Sequence, residues 1–132
     1  MKRSLLFVVS LFAVILLVNG PSMAQVPGQD PDDQKCDFPV YNGKTIDRNI
    51  KILDKPAPDF SSKERREHGG QAVVLTALFC GSGKVVKIAI KQPVSDSIDA
   101  KAIEAAKIIR FVPAEQGGNK VSRRLILEYR VQ

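Results

Sequence analysis

The stretch FCGSGKVV at residues 79–86 contains the residue types that bind phosphate in nucleotide-binding loops. Such a loop needs a Gly, four residues, and then Gly-Lys-Ser/Thr at the start of a helix, where backbone amides meet the anion. Here Leu78 stands where the first Gly should be, Val85 follows Lys84, and the next residues are mostly β-branched. A short Gly-containing loop between two apolar runs predicts a β-hairpin instead.

The other residue types used in catalysis are few and poorly spaced. The only histidine, His68, precedes a Gly pair that ends a predicted helix. A favourable interaction with the helix dipole is sufficient to explain a histidine at this position. The Ser-Ser-Lys run at 61–63 has adjacent side chains, which do not face each other on a helix. Glu64 and Glu67 lie among basic residues, as on a solvated helix face. The sequence therefore predicts no enzyme, no metal site and no cofactor.

Residues 1–24 have the composition of a secretory signal peptide. A basic start at Lys2-Arg3 is followed by an apolar run over 5–18, and the small residues of 22–24 suit a signal peptidase. The run is shorter than the ~20 residues that a membrane-spanning helix needs. We expect cleavage after residue 24 and export to the periplasm, and retention as an inner-membrane anchor is the alternative.

The charge balance is basic, with a formal net charge of +6. A basic chain can bind nucleic acid, but an exported protein without Trp and without interleaved basic and aromatic residues does not fit that class. No nucleic acid and no small-molecule substrate are therefore predicted as partners.

The chain has two cysteines, Cys36 and Cys80. In an oxidising compartment, an even number of cysteines predicts a disulfide, which would join the segment before residue 45 to the hairpin. Two unpaired buried thiols are the alternative.

The remaining chain divides into a polar leader over 25–54, with a weak strand pattern at 45–53, and a domain over 55–132. The leader over 25–35 carries two Pro and predicts irregular structure. The elements predicted for the domain are a short helix (61–68) with a capping box at Ser61 and Glu64, strands at 72–80 and 84–91, a helix at 100–111 capped by Asp99, and a last strand at 121–131.

This order predicts an α+β fold with a small three-stranded antiparallel sheet and one short and one longer helix packed on one face. The longer helix returns the chain along the sheet, so the last strand can pair antiparallel only with the first. The strand at 72–80 is therefore expected in the centre, and an extra N-terminal strand at 45–53 is possible. An apolar stripe is expected to pack the longer helix closely on the sheet: Ala102, Ala105, Ala106 and Ile109.

Over about residues 55–131, the sequence resembles the C-terminal domain of TonB-type energy transducers. The segment KPAPDFSSKERRE is similar to the Pro-rich start of that domain, and VVLTALFCGSGKVVKIAI is similar to its first hairpin. The most specific similarity lies in the longer helix and the turn after it. Its residues are Ile98-Asp99, Ala102-Ile103, Ala105-Ala106, Arg110-Phe111, Pro113-Ala114, Gly118 and Val121.

The resemblance implies a periplasmic protein-binding domain that engages a TonB-dependent outer-membrane receptor or another envelope protein in transport. The partner would add a strand along the last strand of the sheet. The residues predicted to contact it are Arg123, Arg124, Ile126, Glu128 and Arg130. A self-associating or scaffold envelope protein, for instance a homodimer, without a role in energy transduction is the alternative function.

The leader over 25–54 raises two further expectations. Fully extended, it reaches only about 100 Å, so we expect a binding domain that does not transmit force across the envelope. Its weak strand at 45–53 is hypothesised to lie along an exposed edge of the sheet, preferably that of the last strand, where it would compete with a partner peptide.

Overall fold

The computed structural model describes residues 34–132, and the predicted signal peptide lies outside this part of the chain. In chain order, the elements are β1 (Lys51–Asp54), α1 (Ser62–His68), β2 (Ala72–Phe79), β3 (Val85–Gln92), α2 (Asp96–Lys107), β4 (Arg110–Val112), β5 (Ala114–Gln116), β6 (Asn119–Val121) and β7 (Arg123–Arg130). Neither helix of the described chain has the length and apolar character needed to cross a bilayer.

The main sheet is antiparallel and has the strand order β3-β2-β7, with β2 in the centre. The apolar sequence of β2 follows from this position, because both of its faces are largely covered. Leu75 and Phe79 are fully buried in the main core, and Leu78 is buried in a smaller cluster on the opposite face. The predicted α+β class, the three-stranded sheet and the central position of its first strand are confirmed.

The main core lies between the sheet and α2. The predicted stripe is confirmed, since Ala102, Ala105 and Ala106 are all buried. Small side chains at these positions let the helix approach the sheet closely. Phe111, just beyond the helix, packs edge-on against Phe79 with ring centres 4.8 Å apart.

The predicted bounds of the longer helix are wrong at both ends. Its N-cap is Ser95, whose hydroxyl accepts the N–H of Ile98, whereas Asp99 is buried one turn inside and accepts the N–H of Val94. An earlier start buries Ile98 completely, which a cap at Asp99 would not do. The helix ends at Lys107 and the chain continues as β4, from which Phe111 reaches Phe79. Pro113 keeps only Val112 out of the helical region.

Only part of the weak strand predicted at 45–53 is a strand. β1 pairs antiparallel with β4, and Arg48 forms a separate bridge with Glu115 of β5. This segment therefore lies beside β4 and the β5–β6 hairpin, and not along the last strand of the sheet as hypothesised. The carboxylate of Asp47, which accepts the N–H of Gly117 at 2.8 Å, helps to hold it there.

The short helix α1 has the predicted capping box at Ser61 and Glu64 but contributes no buried side chain. It is joined to α2 through Glu64, which pairs with Lys101 at 2.7 Å and accepts a hydrogen bond from Ser97 at 2.6 Å. These bonds lower the pKa of Glu64 to about 2, and the bond from Lys101 has the largest effect. Polar contacts therefore position α1, whereas apolar packing positions α2.

Candidate functional site

The last strand, β7, lies at an edge of the sheet, and its alternating sequence decides which side chains it exposes. In RRLILEYR, Leu127 and Tyr129 are buried in the core, whereas Ile126 is 62% exposed. Because successive side chains of a strand point to opposite faces, Arg124, Ile126 and Glu128 share the outer face of the sheet. A large apolar side chain therefore stands in the middle of a charged, solvent-facing row.

The backbone groups of β7 alternate in the same way between β2 and the open edge. The N–H of Val131 donates towards β2, to Gln71 O at 2.8 Å, whereas the N–H of Ser122 donates outwards, to Pro39 O at 2.8 Å. Every second residue of an antiparallel ladder bonds to a given neighbour. The even-numbered residues of β7 therefore present their N–H and C=O groups at the open edge. No backbone hydrogen bond within the described chain fills this stretch.

The pairing of β7 with β2 is regular along the whole strand. Its register runs without a shift from Ala72 opposite Arg130 to Phe79 opposite Arg123. A bulge would bend the strand and turn its edge groups out of line. Without one, the outward-facing groups of β7 form a straight row that a second strand can match.

The charged side chains of the row differ in their partners. The guanidinium of Arg130 lies 2.7 Å from a carboxylate oxygen of Glu128, and it also donates to Gly70 O at 3.0 Å. Arg124 forms no ion pair within the part of the chain that the structure describes. Its charge is therefore available to an acidic group of a partner.

Arg123 was predicted together with this row but lies on the other face of the strand. Its side chain is half-buried, with the guanidinium 6.0 Å from the ring centre of Tyr41 and a hydrogen bond of 3.3 Å to Gly43 O. Arg123 therefore holds the segment 39–45 beside the start of β7. The predicted contact of the five residues with a partner stays a prediction, and the structure places four of them on one face.

Lys55 reaches the open edge from the segment that precedes α1. Its ammonium donates to Glu128 O at 3.0 Å and lies 4.6 Å from the ring centre of Tyr129. The Tyr129 hydroxyl is buried and has no hydrogen-bond partner among the described residues, and burial raises its pKa to about 12. Lys55 therefore occupies one carbonyl group of the edge, that of Glu128, and lies over the ring of Tyr129.

The predicted disulfide between Cys36 and Cys80 is present, with its Cα atoms 5.8 Å apart. The sulfur of Cys36 lies 3.0 Å from the hydroxyl oxygen of Ser122, which also accepts the N–H of Gly81 at 2.9 Å. A Cβ atom at Gly81 would meet the ring of Phe38 at 2.6 Å, so this position requires glycine. The bridge and the aromatic ring thus fix the segment at 36–38 against the hairpin.

The GSGK stretch and Ser61, which were considered for chemistry, have structural roles. The GSGK stretch is the turn between β2 and β3, where Gly83 has a φ of 94° and donates to Cys80 O. Ser61 caps α1, and Nδ1 of His68 is buried without a hydrogen-bond partner in the described chain. Residues 34–132 contain no group of three or more potential metal ligands.

Two features at the edge of β7 were missed by the sequence reasoning: the segment 39–41, which pairs with Ser122, and Lys55. A weak signal for the first was present. Phe38 and Val40 alternate two and four residues after Cys36, so a strand-like segment follows directly from the disulfide. Nothing in the sequence around Lys55 indicates its contact with the edge.

A comparison with solved structures finds the TonB C-terminal domain of Pseudomonas aeruginosa, determined by solution NMR. The TM-score is 0.53 at 20% sequence identity, and the match covers 73% of this chain and 94% of that chain. No protein-family model matches the sequence, and no curated protein matches it. The fold is therefore that of a TonB C-terminal domain, as the sequence resemblance predicted.

Proposed function

We propose that this chain is a protein-binding domain that takes up an extended segment of its partner by strand addition along β7. The observation that carries the proposal is the straight row of outward-facing N–H and C=O groups from Arg124 to Arg130, of which Lys55 occupies Glu128 O and would be displaced by a partner strand. A strand placed there completes hydrogen bonds that the edge leaves open. The proposed partner is a TonB-dependent outer-membrane receptor or another envelope protein in transport.

The side chains of the row suggest the chemistry of the partner segment. A strand beside β7 places its side chains next to those of Arg124 and Ile126 on the outer face. An acidic residue suits the guanidinium of Arg124, which has no ion pair among residues 34–132, and an apolar residue suits the exposed Ile126. Neither contact requires a cofactor, a nucleic acid or a small-molecule substrate.

The proposed location is the periplasm. Disulfides persist in oxidising compartments, and this chain has one between Cys36 and Cys80. The signal-like composition of residues 1–24 supports export as well.

Titration of labelled peptides that carry the N-terminal boxes of outer-membrane receptors tests the proposal. Ile126→Pro removes one outward N–H while leaving the bonds to β2, a position at which an edge strand tolerates proline. We expect affinity to fall about tenfold or more, since both the backbone contact and the side chain are lost. Ile126→Ala retains the N–H and should lose less affinity. Ile108→Ala, which truncates an equally exposed side chain at the end of α2, should lose none.

The melting temperature and circular dichroism of each variant show whether it is folded. Unchanged affinity in folded Ile126→Pro would exclude strand addition on β7.

Self-association is a second candidate function, because the row is self-complementary. If two copies pair antiparallel through β7 with Ile126 opposite Ile126, then Arg124 of each copy faces Glu128 of the other. This is the arrangement of a two-fold interface, in which each contact occurs twice. The pairing also uses only the outward-facing backbone groups.

A charge exchange separates the two functions. Arg124→Glu should weaken a dimer because it places two acidic side chains opposite each other, and adding Glu128→Arg should restore it. Sedimentation of the single and double variants measures this recovery. Peptide binding without any dimer in the unmodified protein would favour the first function, and recovery in the double variant would favour the second.

A further inference from the structure

A short segment of the chain already forms an isolated β-bridge beside the N-terminal end of β7. The N–H of Tyr41 donates to Ser122 O at 2.9 Å, and the N–H of Ser122 donates to Pro39 O at 2.8 Å. These bonds give Val40 a parallel pairing with Ser122, just before the first residue of β7. The segment 39–41 therefore occupies the position next to Arg124 in the row of outward-facing groups.

Two contacts on its N-terminal side hold this segment in place. Phe38 packs on a small apolar cluster on the outer face of the sheet, formed by Leu78, Cys80 and Val86. The disulfide joins Cys36 to this cluster covalently. On the C-terminal side, Arg123 holds Tyr41 and the following turn.

We propose that the Cys36–Cys80 disulfide is a redox latch that sets the length of the open edge of β7. With the bridge closed, the segment 39–41 covers Ser122, and the edge is open from Arg124 onwards. With the bridge reduced, the segment leaves, because only non-covalent contacts then hold an otherwise exposed stretch against its conformational entropy. These contacts are the two backbone bonds to Ser122, the packing of Phe38, and the contacts of Arg123 with Tyr41 and Gly43 O. The consequence for partner binding rests on the proposed strand addition.

In this proposal, a protein dithiol reduces the bridge between Cys36 and Cys80. Cys36 is half-buried and Cys80 is completely buried, so the attacking thiolate approaches the sulfur of Cys36. The bond between the two sulfurs breaks, and Cys80 leaves as a thiolate that takes up a proton. The second thiol of the reductant then displaces Cys36 from the mixed disulfide. Two electrons and two protons pass from the dithiol to the protein, and the reductant becomes a disulfide.

Reduction has two effects on the edge. The backbone groups of Ser122 become available, which lengthens the outward-facing row by one residue at its N-terminal end. Removal of Phe38 also uncovers Leu78 and Val86 beside that end. A partner segment long enough to reach Ser122 therefore gains both a backbone pairing and an apolar contact, whereas a shorter one gains neither.

Amide hydrogen exchange, followed by NMR with and without dithiothreitol, tests the latch directly. The N–H of Ser122 should exchange about tenfold faster or more after reduction, because its acceptor Pro39 O is lost. The N–H of Leu127, which faces β2, serves as the internal control and should not change. Equal protection of Ser122 in both states would overturn the proposal.

Two variants reproduce the open state without a reductant. The double variant Cys36→Ser, Cys80→Ala removes the bridge, and Tyr41→Pro removes the N–H donor to Ser122 O while the disulfide stays closed. Tyr41→Ala retains this N–H and is the matched control. We expect rapid exchange of Ser122 in the double variant and in Tyr41→Pro, and slower exchange in Tyr41→Ala. Slow exchange in folded double variant would contradict the latch.

Peptide titration measures the consequence. One receptor-box peptide is used in a seven-residue form, which spans Arg124 to Arg130, and in a form extended to reach Ser122. Reduction should tighten binding of the longer peptide about tenfold and leave the shorter one unchanged. Equal effects on both peptides would show that the disulfide does not set the length of the open edge. Failure of both peptides to bind any form would reject strand addition, while the exchange of Ser122 would still decide the latch.

Discussion

The two edges of the main sheet, β3 and β7, flank the same central strand but differ in regularity. The pairing of β2 with β7 has no register shift, whereas the pairing of β2 with β3 shifts twice. At each shift, β3 has one residue more than the facing stretch of β2. The first is Lys91, and the second is one of the two residues Lys87 and Ile88. These bulges bend β3 and interrupt its outer row of backbone groups.

The side chains of the two edges differ as well. β3 and the turn before it carry exposed lysines at Lys84, Lys87 and Lys91, and Lys87 has a left-handed backbone with a φ of 49°. The exposed apolar side chain of β3, Ile90, is 38% exposed, whereas Ile126 of β7 is 62% exposed. Lysines and bulges protect an edge from unwanted pairing, and a straight strand with an apolar side chain does not. The comparison therefore supports the proposed binding of a partner along β7 rather than along β3.

The largest expected loss of stability distinguishes the residues of β7 that bond to β2 from those that face the open edge. Leu127→Pro removes an N–H that faces β2 together with a buried side chain, and it should lower the free energy of unfolding by about 3 kcal/mol or more. Ile126→Pro, one residue away but facing outwards, should cost clearly less. Chemical denaturation of both variants measures the difference. Similar losses would show that the assigned alternation of β7 is wrong.

The next effect concerns α2, which packs against β3 and β2. Ala106 is completely buried, and Ala106→Leu should overpack this contact and cost roughly 1–3 kcal/mol of unfolding free energy. Glu104→Leu places the same side chain on the exposed face of the same helix and is the control. Thermal denaturation of the pair is sufficient, and equal stability of the two variants would contradict the packing described for α2.

A smaller effect tests the bulge in β3. Lys87 has a left-handed backbone that costs a non-glycine residue about 1 kcal/mol, so Lys87→Gly should stabilise the protein by up to about that amount. Lys87→Val, with a β-branched side chain, should destabilise it. The order of unfolding midpoints in urea checks both. A stabilising valine would indicate that β3 is straight in solution and that its edge resembles that of β7.

The smallest effect concerns the ring beneath the edge of β7. Because the Tyr129 hydroxyl is buried without a hydrogen-bond partner in the described chain, Tyr129→Phe should change stability near pH 7 by less than about 1 kcal/mol. Burial raises the pKa of Tyr129 from 10.0 to about 12, so the folded state retains a proton that the unfolded chain releases. Stability should therefore fall as the pH rises from about 10 to about 12. The phenylalanine variant should lack this part of the loss in alkaline denaturation curves.

Local patterns were sufficient to predict much of the fold. The return of the chain through the longer helix indicated that β2 is the central strand, and the alanine stripe gave the inner face of α2. The capping box at Ser61 was also predicted, and so was the disulfide, although unpaired thiols remained an alternative. These features depend on residues close in sequence or, for the bridge, on composition and compartment.

Competing local signals explain the errors at the ends of α2. Both Ser95 and Asp99 are good N-caps, and only the burial of Ile98 against the sheet favours the earlier one. The continuation to Phe111 was wrong because that side chain reaches Phe79 from a strand. In each case the deciding contact is with a distant part of the chain.

The sequence by itself determined the order of the two helices and of the three strands of the main sheet, and the buried face of α2. It did not predict the short strands β4, β5 and β6, which pair outside that sheet. Only the tertiary structure decided which edge is regular, that Lys87 lies in a bulge, and that the segment 39–41 covers Ser122. Periodicity specifies the face of an element, because it follows from the backbone geometry of that element alone. Pairing between distant segments depends on where the whole chain places them, and for 39–41 that place is set by the disulfide and the packing of Phe38.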